Sequence, residues 1–343
     1  MRPVTVLVAE DSVTKRELIV SILRSEPAME VIGEAKNGEE AVEMTIRLRP
    51  DVVTMDIYMP LIDGFEATKR IMREAPTPIV IVSDAPNVKQ VEISMRALAV
   101  GATMVLRTPP GRHAPEFEVL SQELVHTVRA VAGLKLVQAL ARSFSGAAGG
   151  SKSRPSAIAI AASTGGPTAL QRILAHLPAD FPIPILLVQH ISAGFVQGFA
   201  AWLDTITPLR IRISEDGEPL EPHTVYLAPE NTHLGASAPG RVRLSKVTTP
   251  NLFRPSADIL FGSMAEAFGA AAYAVILTGM GQDGVEGLRH IRSAGGLVLA
   301  QDEASSVVFG MPRAAIEEGL ANLILPLSYI GPHLLGLARA EAP

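Results

Sequence analysis

Short apolar runs alternate with amphipathic stretches along the first 130 residues of the chain. The apolar runs are rich in Val and Ile, whereas the stretches between them repeat apolar residues at helical spacing. Nearly unbroken Val/Ile runs between helices are typical of a parallel sheet that is covered on both faces. The pattern predicts such a sheet, with strands in the segments VTVLVAED, MEVIGEA, DVVTMDI, TPIVIVSD and ATMVLRT.

A long helical pattern and a polar stretch separate this region from the rest of the chain. The helical pattern covers residues 117–142, and residues 143–156 are rich in Gly and Ser without an apolar period. That composition is typical of a flexible linker. We therefore predict a first domain at 1–130, a linker at 131–154 and a second domain at 155–343.

Strand-like and helical segments alternate again after the linker. Strand-like runs include AIAIAAS, IPILLVQH, AYAVILTGM and GLVLAQDE, and helical patterns include TALQRILAHL and GVEGLRHIRSAG. Alternation of this kind indicates a second α/β domain. The expected fold class is α/β, with two doubly wound parallel-sheet domains joined by a helix and a flexible linker.

Composition narrows the kinds of protein that fit this pattern. The chain has 343 residues, of which 4% are aromatic, so we expect aliphatic cores. It has no Cys, which excludes disulfides, thiolate metal sites and a thiol nucleophile. Acidic residues come too early for a signal peptide, and no apolar run reaches the roughly 18 residues of a membrane span. We expect a soluble, cytoplasmic protein without membrane insertion.

The distribution of charge argues against a nucleic-acid partner. The net charge is −5. Residues 1–154 hold 19 basic and 19 acidic residues, whereas the remainder holds 11 basic and 16 acidic residues. A DNA-binding C-terminal domain would need an excess of basic residues, so that class of response regulator is disfavoured.

Acidic residues follow two apolar strands of the first domain. Glu10 and Asp11 follow the first strand, and Asp56 follows DVVTM. The carboxyl ends of parallel strands line the ligand crevice of an open α/β sheet, so these carboxylates should meet there. Such a cluster favours Mg²⁺, and a carboxylate beside Mg²⁺ is a candidate phosphoryl acceptor.

With the segment MDIYMPLIDG added, most of the first domain resembles a response-regulator receiver domain. The resemblance implies a flavodoxin-like fold and phosphorylation of Asp56. It also implies that Glu10, Asp11 and Asp56 hold Mg²⁺ and that Ser83 is a switch hydroxyl.

One position departs from the receiver pattern. Receivers carry a Lys just before a Pro after the last strand, whereas Thr108 stands there in VLRTPPG. A hydroxyl donates a hydrogen bond but brings no positive charge to offset a phosphoryl group. Arg107 is expected on the other side of the strand, because side chains alternate. We therefore predict a weakened switch.

The apolar run AIAIAA in the second domain stops on Ser163 and continues as TGG. A serine needs a neighbouring base before its hydroxyl becomes nucleophilic. His190 directly ends the strong strand IPILLVQ, whereas His223 and His233 flank another strand and stay reserve candidates. Ala161 stands where a GxSxG elbow would have its first glycine. The Gly-rich loop also lacks the lysine of a nucleotide-binding P-loop, which disfavours that class.

Two carboxylates could orient the histidine. Asp283 follows AYAVILTGMGQ, and Asp302 follows GLVLAQ. Periodicity does not choose between them. The glycines of TGMGQDG permit a tight turn near a site, which mildly favours Asp283.

Several long blocks of the second domain, in the right order, resemble the catalytic domain of the chemotaxis protein-glutamate methylesterase family, CheB. The blocks are AASTGGPTAL, VQHISAGFVQGFAAWL, VYLAPENTHL, FRPSADILFGSMA, ILTGMGQDG and AQDEASSVVFGMPRAAI. The resemblance implies a triad of Ser163 as nucleophile, His190 as general base and Asp283 as orienting carboxylate. The residues that it places near the oxyanion and the substrate are Thr164, Gly165, Gly166 and Met280.

The implied reaction is hydrolysis of glutamate γ-methyl esters on methyl-accepting chemoreceptors, with deamidation of receptor glutamines as a second activity. Ester hydrolysis of this kind needs no cofactor. The receiver would bind Mg²⁺ and would accept a phosphoryl group from a sensor histidine kinase. Two alternatives stay open. One is a paralogue that serves a receptor array outside chemotaxis, and the other is a non-catalytic regulator that acts by binding.

Overall fold

A computed structural model gives the fold of most of the chain. The chain divides into two compact units, Met1–Ala141 and Arg142–Pro343. Each unit contains a parallel sheet, which confirms the predicted α/β fold class. Most of the predicted linker lies outside the residues that the structure describes, which are 2–84, 94–98, 100–132, 155–192, 194–247 and 253–339.

The N-terminal unit is a five-stranded parallel sheet in the order β2-β1-β3-β4-β5. The strands are β1 Val4–Ala9, β2 Met29–Ala35, β3 Val52–Met55, β4 Ile79–Ser83 and β5 Met104–Arg107. The helices are α1 Val13–Arg24, α2 Gly38–Leu48, α3 Gly64–Glu74 and α4 Phe117–Ala132, and residues 94–98 are also helical. This strand order is that of the flavodoxin-like fold.

Local sequence explains where the elements of this unit begin and which faces they bury. Every residue of β3 and β4 is buried, as the unbroken Val/Ile runs predict. Asn37 and Asp63 cap α2 and α3, because their side chains accept hydrogen bonds from backbone N–H groups in the first turns. The strand order reverses between β1 and β3, which leaves a crevice at their carboxyl ends.

The C-terminal unit is a seven-stranded parallel sheet in the order β14-β13-β12-β6-β7-β9-β8, with a separate antiparallel pair β10-β11. The strands are β6 Ala157–Ala162, β7 Ile185–Gln189, β8 Arg210–Ile213, β9 Thr224–Leu227, β10 His233–Ser237, β11 Arg241–Ser245, β12 Ala272–Ile276, β13 Leu297–Gln301 and β14 Leu323–Leu325. The helices are α5 Gly166–Leu174, α6 Val196–Ile206, α7 Ala257–Phe268, α8 Val285–Ser293, α9 Met311–Glu317 and α10 Leu327–Ala338.

The core of this unit is centred on β6, which is buried along its whole length. The alanines on one face of β6 belong to a buried cluster that also contains Leu260 and Phe261 of α7. Alanine is small enough to leave room for a helix carrying larger side chains. The periodic pattern did not predict the short strands β8 and β14, since they are too short for a clear repeat.

The antiparallel pair β10-β11 is an addition to the doubly wound pattern. Its strands run from His233 to Ser237 and from Arg241 to Ser245, with the turn around Gly240. In the ranges that the structure describes, no helix combines the length and the apolar character required to span a membrane.

The central strand should contribute far more to stability than the sheet edge. Ile158 in β6 is fully buried, whereas Ile324 in the edge strand β14 is 44% exposed. We predict that Ile158→Ala lowers the free energy of unfolding by about 2–5 kcal/mol. The matched control Ile324→Ala should cost less than about 1 kcal/mol. Urea unfolding followed by the fluorescence of Trp202, the single Trp of the chain, would measure both. Equal losses would contradict this assignment of the core.

Candidate functional sites

Three neighbouring strands bring the predicted catalytic residues of the C-terminal unit to one edge of the sheet. Ser163 directly follows β6, and its N–H donates to the Thr278 carbonyl beyond β12 (3.0 Å). On the other side of β6, the His190 N–H donates to the Ala162 carbonyl (2.9 Å). These backbone bonds continue the sheet registers, so the loops after β12, β6 and β7 converge at one place.

The loop after Ser163 requires glycine at two positions. Gly165 has φ of 80°, a left-handed conformation, and a Cβ there would lie 2.4 Å from Val307 Cβ. A Cβ on Gly166 would lie 2.0 Å from Gln189 Oε1 and 2.8 Å from Ala162 Cβ. The two glycines therefore let the chain turn tightly into α5, which starts immediately after the serine loop.

His190 and Asp283 form a hydrogen-bonded pair. His190 Nε2 lies 2.8 Å from Asp283 Oδ2. The carboxylate also accepts from Ser256 Oγ (2.8 Å), Ala257 N (2.7 Å) and Asp258 N (3.2 Å), at the start of α7. Burial alone would raise the pKa of Asp283. The hydrogen bond and the charge of His190, together with the donors at the start of α7, outweigh burial and lower the pKa below its ordinary value. Asp283 is therefore ionised at neutral pH.

The pairing fixes which nitrogen of His190 is available as a base. An ionised carboxylate only accepts hydrogen bonds, so in the neutral imidazole the proton is on His190 Nε2 and the lone pair is on Nδ1. Nδ1 is buried and has no hydrogen-bond partner, Ser163 Oγ included, in the part of the chain that the structure describes. Phe253 stacks on the imidazole, with 4.5 Å between ring centroids and 3° between planes. The ring is thus held at one edge and on one face.

The reserve candidates have other surroundings. His233 Nε2 bonds to the Val247 carbonyl (2.9 Å), and its Nδ1 accepts from Ser256 N (3.1 Å). His223 Nδ1 bonds to the Phe181 carbonyl (2.9 Å). His233 therefore helps to position Ser256, whose hydroxyl donates to Asp283.

Asp302, the other candidate carboxylate, accepts hydrogen bonds within its own loop. It accepts hydrogen bonds from Ser305 N (3.0 Å) and Ser305 Oγ (2.5 Å). The structure pairs His190 with Asp283, so the geometry decides between the two carboxylates that strand periodicity left open.

Gly279 and Met280 complete the surroundings of Ser163. A Cβ on Gly279 would lie 2.7 Å from Ser163 Cβ and 2.4 Å from Met311 Sδ, so this backbone packs directly against the serine. Met280 follows on the surface and is 38% exposed. In the same loop, Thr278 Oγ1 donates to the Thr164 carbonyl (2.9 Å). The loop that carries Met280 therefore packs against both Ser163 and Thr164.

The N-terminal unit brings its three predicted carboxylates together at the ends of β1 and β3. Glu10, Asp11 and Asp56 each offer an oxygen within 4.8 Å of the others. Burial, followed by the charge of Asp56, raises the pKa of Glu10 to about 7. Burial also raises the pKa of Asp56 to about 6, although a hydrogen bond from Ile57 N and the charge of Lys15 lower it.

These carboxylates fit a divalent cation. Glu10 Oε2 is buried without a hydrogen-bond partner within the described ranges. An all-oxygen set with mutual repulsion suits a hard ion such as Mg²⁺.

The two predicted switch residues are neighbours. Thr108 N donates to the Ser83 carbonyl (3.1 Å), which continues the pairing of β4 with β5. Ser83 Oγ donates to the Asp84 carbonyl (3.3 Å). Thr108 Oγ1 is buried and lacks a hydrogen-bond partner among the residues described.

Comparison with known proteins identifies the family of each unit. The sequence profile of the family described as CheB methylesterase matches residues 158–334, and that of the response regulator receiver domain matches residues 6–111. The chain belongs to the CheB methylesterase family. Both resemblances drawn from the sequence are confirmed.

Similar CheB proteins cover the chain almost completely. A protein-glutamate methylesterase/protein-glutamine glutaminase of Myxococcus xanthus is 49% identical over 347 residues, covering 99% of this chain and 98% of the relative. One of Anaeromyxobacter dehalogenans is 48% identical, covering 96% and 98%. The crystal structure of the Thermotoga maritima CheB methylesterase catalytic domain aligns with a TM-score of 0.52 at 42% identity, covering 53% of this chain and 98% of that domain.

Sequence reasoning missed the buried amides that hold the strand ends of the C-terminal unit. Gln189 Nε2 donates to the carbonyls of Ser163 (2.9 Å) and His190 (2.7 Å). Gln301 Oε1 accepts from Thr278 N (2.9 Å). The available signal was a polar residue closing an otherwise apolar strand, as in LLVQ and LVLAQ. Phe253 and Ser256 left no such signal, because they reach His190 and Asp283 from a distant loop.

The glycine at the start of α5 provides a test of this packing. Gly166→Ala should lower the free energy of unfolding by about 1–3 kcal/mol, because the new Cβ displaces Gln189, whose amide bonds both strand ends. Gly336→Ala, with open space around it in α10, should be neutral or stabilising by up to about 1 kcal/mol. Thermal and urea unfolding would measure both. A neutral Gly166→Ala substitution would refute the close packing.

Proposed function

We propose that this chain hydrolyses γ-methyl esters of glutamate side chains on chemoreceptors in the cytoplasm, releasing methanol, and deamidates receptor glutamines in the same site. The observation that carries the proposal is the His190–Asp283 pair at the sheet edge beside Ser163. The names of the similar proteins, protein-glutamate methylesterase/protein-glutamine glutaminase, support the choice of substrate.

In the first half of the reaction, Ser163 Oγ attacks the carbonyl carbon of the ester. His190 Nδ1 takes the hydroxyl proton, and Asp283 stabilises the resulting imidazolium through its bond to Nε2. When the tetrahedral intermediate collapses, the bond to the methoxy oxygen breaks, and the proton on Nδ1 passes to that oxygen. Methanol leaves, and the glutamyl group is held as an ester on Ser163.

In the second half, water attacks this ester while His190 Nδ1 accepts a proton from the water. Collapse of the second intermediate breaks the bond to Ser163 Oγ, which takes the proton from His190, and releases the glutamate side chain as a carboxylic acid that ionises in water. A glutamine side chain follows the same steps, with ammonia as the first leaving group. His190 performs the proton transfers at Ser163, at the leaving group and at the attacking water.

The oxyanion of each intermediate needs hydrogen-bond donors close to Ser163. We assign the backbone N–H groups of Thr164 and Met280, because Thr164 follows the serine in the chain and the loop that carries Met280 packs against both residues. The start of α5 adds the positive end of a helix dipole, through the turn made by Gly165 and Gly166. The exposed side chain of Met280 would contact the receptor substrate.

We propose further that the N-terminal unit regulates this hydrolysis through phosphorylation of Asp56. Glu10, Asp11 and Asp56 would hold Mg²⁺, which supplies positive charge against the incoming phosphoryl group. A sensor histidine kinase that serves the same receptors is the proposed phosphodonor. Ser83 and Thr108, at the ends of β4 and β5, are the proposed switch residues.

Substitutions should separate the triad from the nearby loop carboxylate. Ser163→Ala should abolish methanol release from methylated receptor. Asp283→Asn should lower kcat by roughly 10³–10⁴-fold, since the imidazolium loses its charged partner. The matched control Asp302→Asn, whose carboxylate bonds within its own loop, should stay within about threefold of wild type. Activity in Ser163→Ala, or equal losses in the two Asp variants, would refute the triad.

Phosphorylation should raise the esterase activity of the full chain. Acetyl phosphate with Mg²⁺ is expected to increase the rate of methanol release by roughly tenfold, the usual range of coupling between two sites. Asp56→Asn should keep the basal rate and lose the increase. An unchanged rate in wild-type protein whose Asp56 is shown to be phosphorylated would leave the esterase assignment intact and reject this regulation.

A further inference from the structure

The proposed phosphorylation site has a hydroxyl where a positive charge is needed. A phosphoryl group on Asp56 would bring a charge of about −2 next to Glu10 and Asp11. Thr108 Oγ1 lies buried and without a hydrogen-bond partner in the described segments. It can donate one hydrogen bond, but it cannot neutralise charge.

Lys15 brings a cation to this region from another element. It lies in the first turn of α1, and its Nζ is 2.6 Å from Asp84 Oδ2, directly after β4. Burial lowers the pKa of Lys15, but the hydrogen bond and charge of Asp84, and the charges of Glu10 and Asp56, raise it overall. In return, the charge of Lys15 lowers the pKa of Asp56. The ammonium group therefore lies at the carboxyl edge of the sheet, bonded to the residue that follows β4.

Lys15 and Thr108 share one pocket. It has a volume of about 490 Å³ and lies between the start of α1 and the end of β5, with Asp84 and Arg107 also in its wall. The Lys15 side chain is 37% exposed, and its four-carbon stem is flexible, so the ammonium group has room to move within this pocket.

Two arginines lie near the same region, and the first is less suited to the task. Arg16 is buried, with Nη1 bonded to the Glu10 carbonyl (2.8 Å) and Nε 3.6 Å from Glu34. Its guanidinium is therefore held by a backbone carbonyl and by Glu34. Arg107 precedes Thr108 in the chain and lines the same pocket, so it is the competitor that an experiment has to exclude.

We propose that Lys15 supplies the positive charge that Thr108 does not, by exchanging Asp84 for an oxygen of the phosphoryl group on Asp56. This inference rests on the proposed phosphorylation of Asp56. When an acyl phosphate is the donor, a bond forms between an Asp56 carboxylate oxygen and phosphorus. The bond between phosphorus and the donor's acyl oxygen breaks, and the donor leaves as a carboxylate. Lys15 takes no part in bond making; its ammonium stabilises the charge that arrives.

Beryllofluoride, a mimic of the phosphoryl group, tests the role without depending on esterase activity. Its affinity for the full chain would be measured in Mg²⁺ by fluorine NMR. Lys15→Gln should weaken binding by about tenfold or more, as expected for loss of a charged hydrogen bond. Lys69→Gln removes an exposed lysine of α3 and should stay within about twofold of wild type. Arg107→Gln should also stay within about twofold.

A rescue variant excludes a purely structural explanation. Thr108→Lys places an ammonium at the end of β5, so the double variant Lys15→Gln/Thr108→Lys should bind within about threefold of wild type. Asp84→Asn tests the exchange. It should strengthen binding more in the chain with Lys15 than in Lys15→Gln, because only Lys15 has a bond to Asp84 to give up. Circular dichroism and thermal unfolding would establish that each variant is folded.

The outcomes separate this inference from the proposed function. Wild-type protein that binds no beryllofluoride would overturn both the phosphorylation and the role of Lys15. If wild-type protein binds and Asp56→Asn does not, equal affinity in Lys15→Gln would overturn the role of Lys15 alone. The role of Lys15 would also be overturned if Arg107→Gln weakened beryllofluoride binding and Lys15→Gln did not. Failure of Thr108→Lys to restore binding to Lys15→Gln would overturn it as well. Equal effects of Asp84→Asn in both backgrounds would reject the exchange.

Discussion

The parallel backbone bonds that join β12, β6 and β7 determine the positions of Ser163 and His190, the two residues proposed to exchange the proton in ester hydrolysis. Ser163 and His190 each continue a strand by one residue, and their N–H groups extend the same ladders. Because β6 is the central strand and later strands are added on both of its sides, a crevice forms at its carboxyl end, where these loops meet. The N-terminal unit uses the same constraint between β1 and β3, where its three carboxylates meet.

The two crevices treat buried negative charge in opposite ways. In the C-terminal unit, Asp283 accepts hydrogen bonds from His190 and from the start of α7, and these donors outweigh the effect of burial on its pKa. In the N-terminal unit, burial and mutual repulsion prevail, so the pKa values of Glu10 and Asp56 are raised. A divalent cation held by Glu10, Asp11 and Asp56 would offset this repulsion, as proposed above.

The sequence was most informative where one strand carries the signal. Both sheets and the positions of Ser163 and His190 follow from apolar runs that end abruptly in a polar residue. The choice between Asp283 and Asp302 did not follow, since each carboxylate comes after a strand. It depends on the lateral order of β12 and β13 and on the approach of α7, which are long-range properties. Phe253 was unpredictable for the same reason, because its ring meets His190 from a loop far along the chain.

The departure at Thr108 shows why a motif cannot be equated with the chemistry it usually performs. Phosphoryl binding requires positive charge within a few ångströms of Asp56, and the Coulomb energy depends on distance and burial, whatever element carries the charge. The start of α1 and the end of β5 lie at the same carboxyl edge and share one pocket. A lysine on either element can therefore place its ammonium group in the same space. Position 15 lies five residues after Glu10, so a search confined to the usual lysine position after β5 would overlook it.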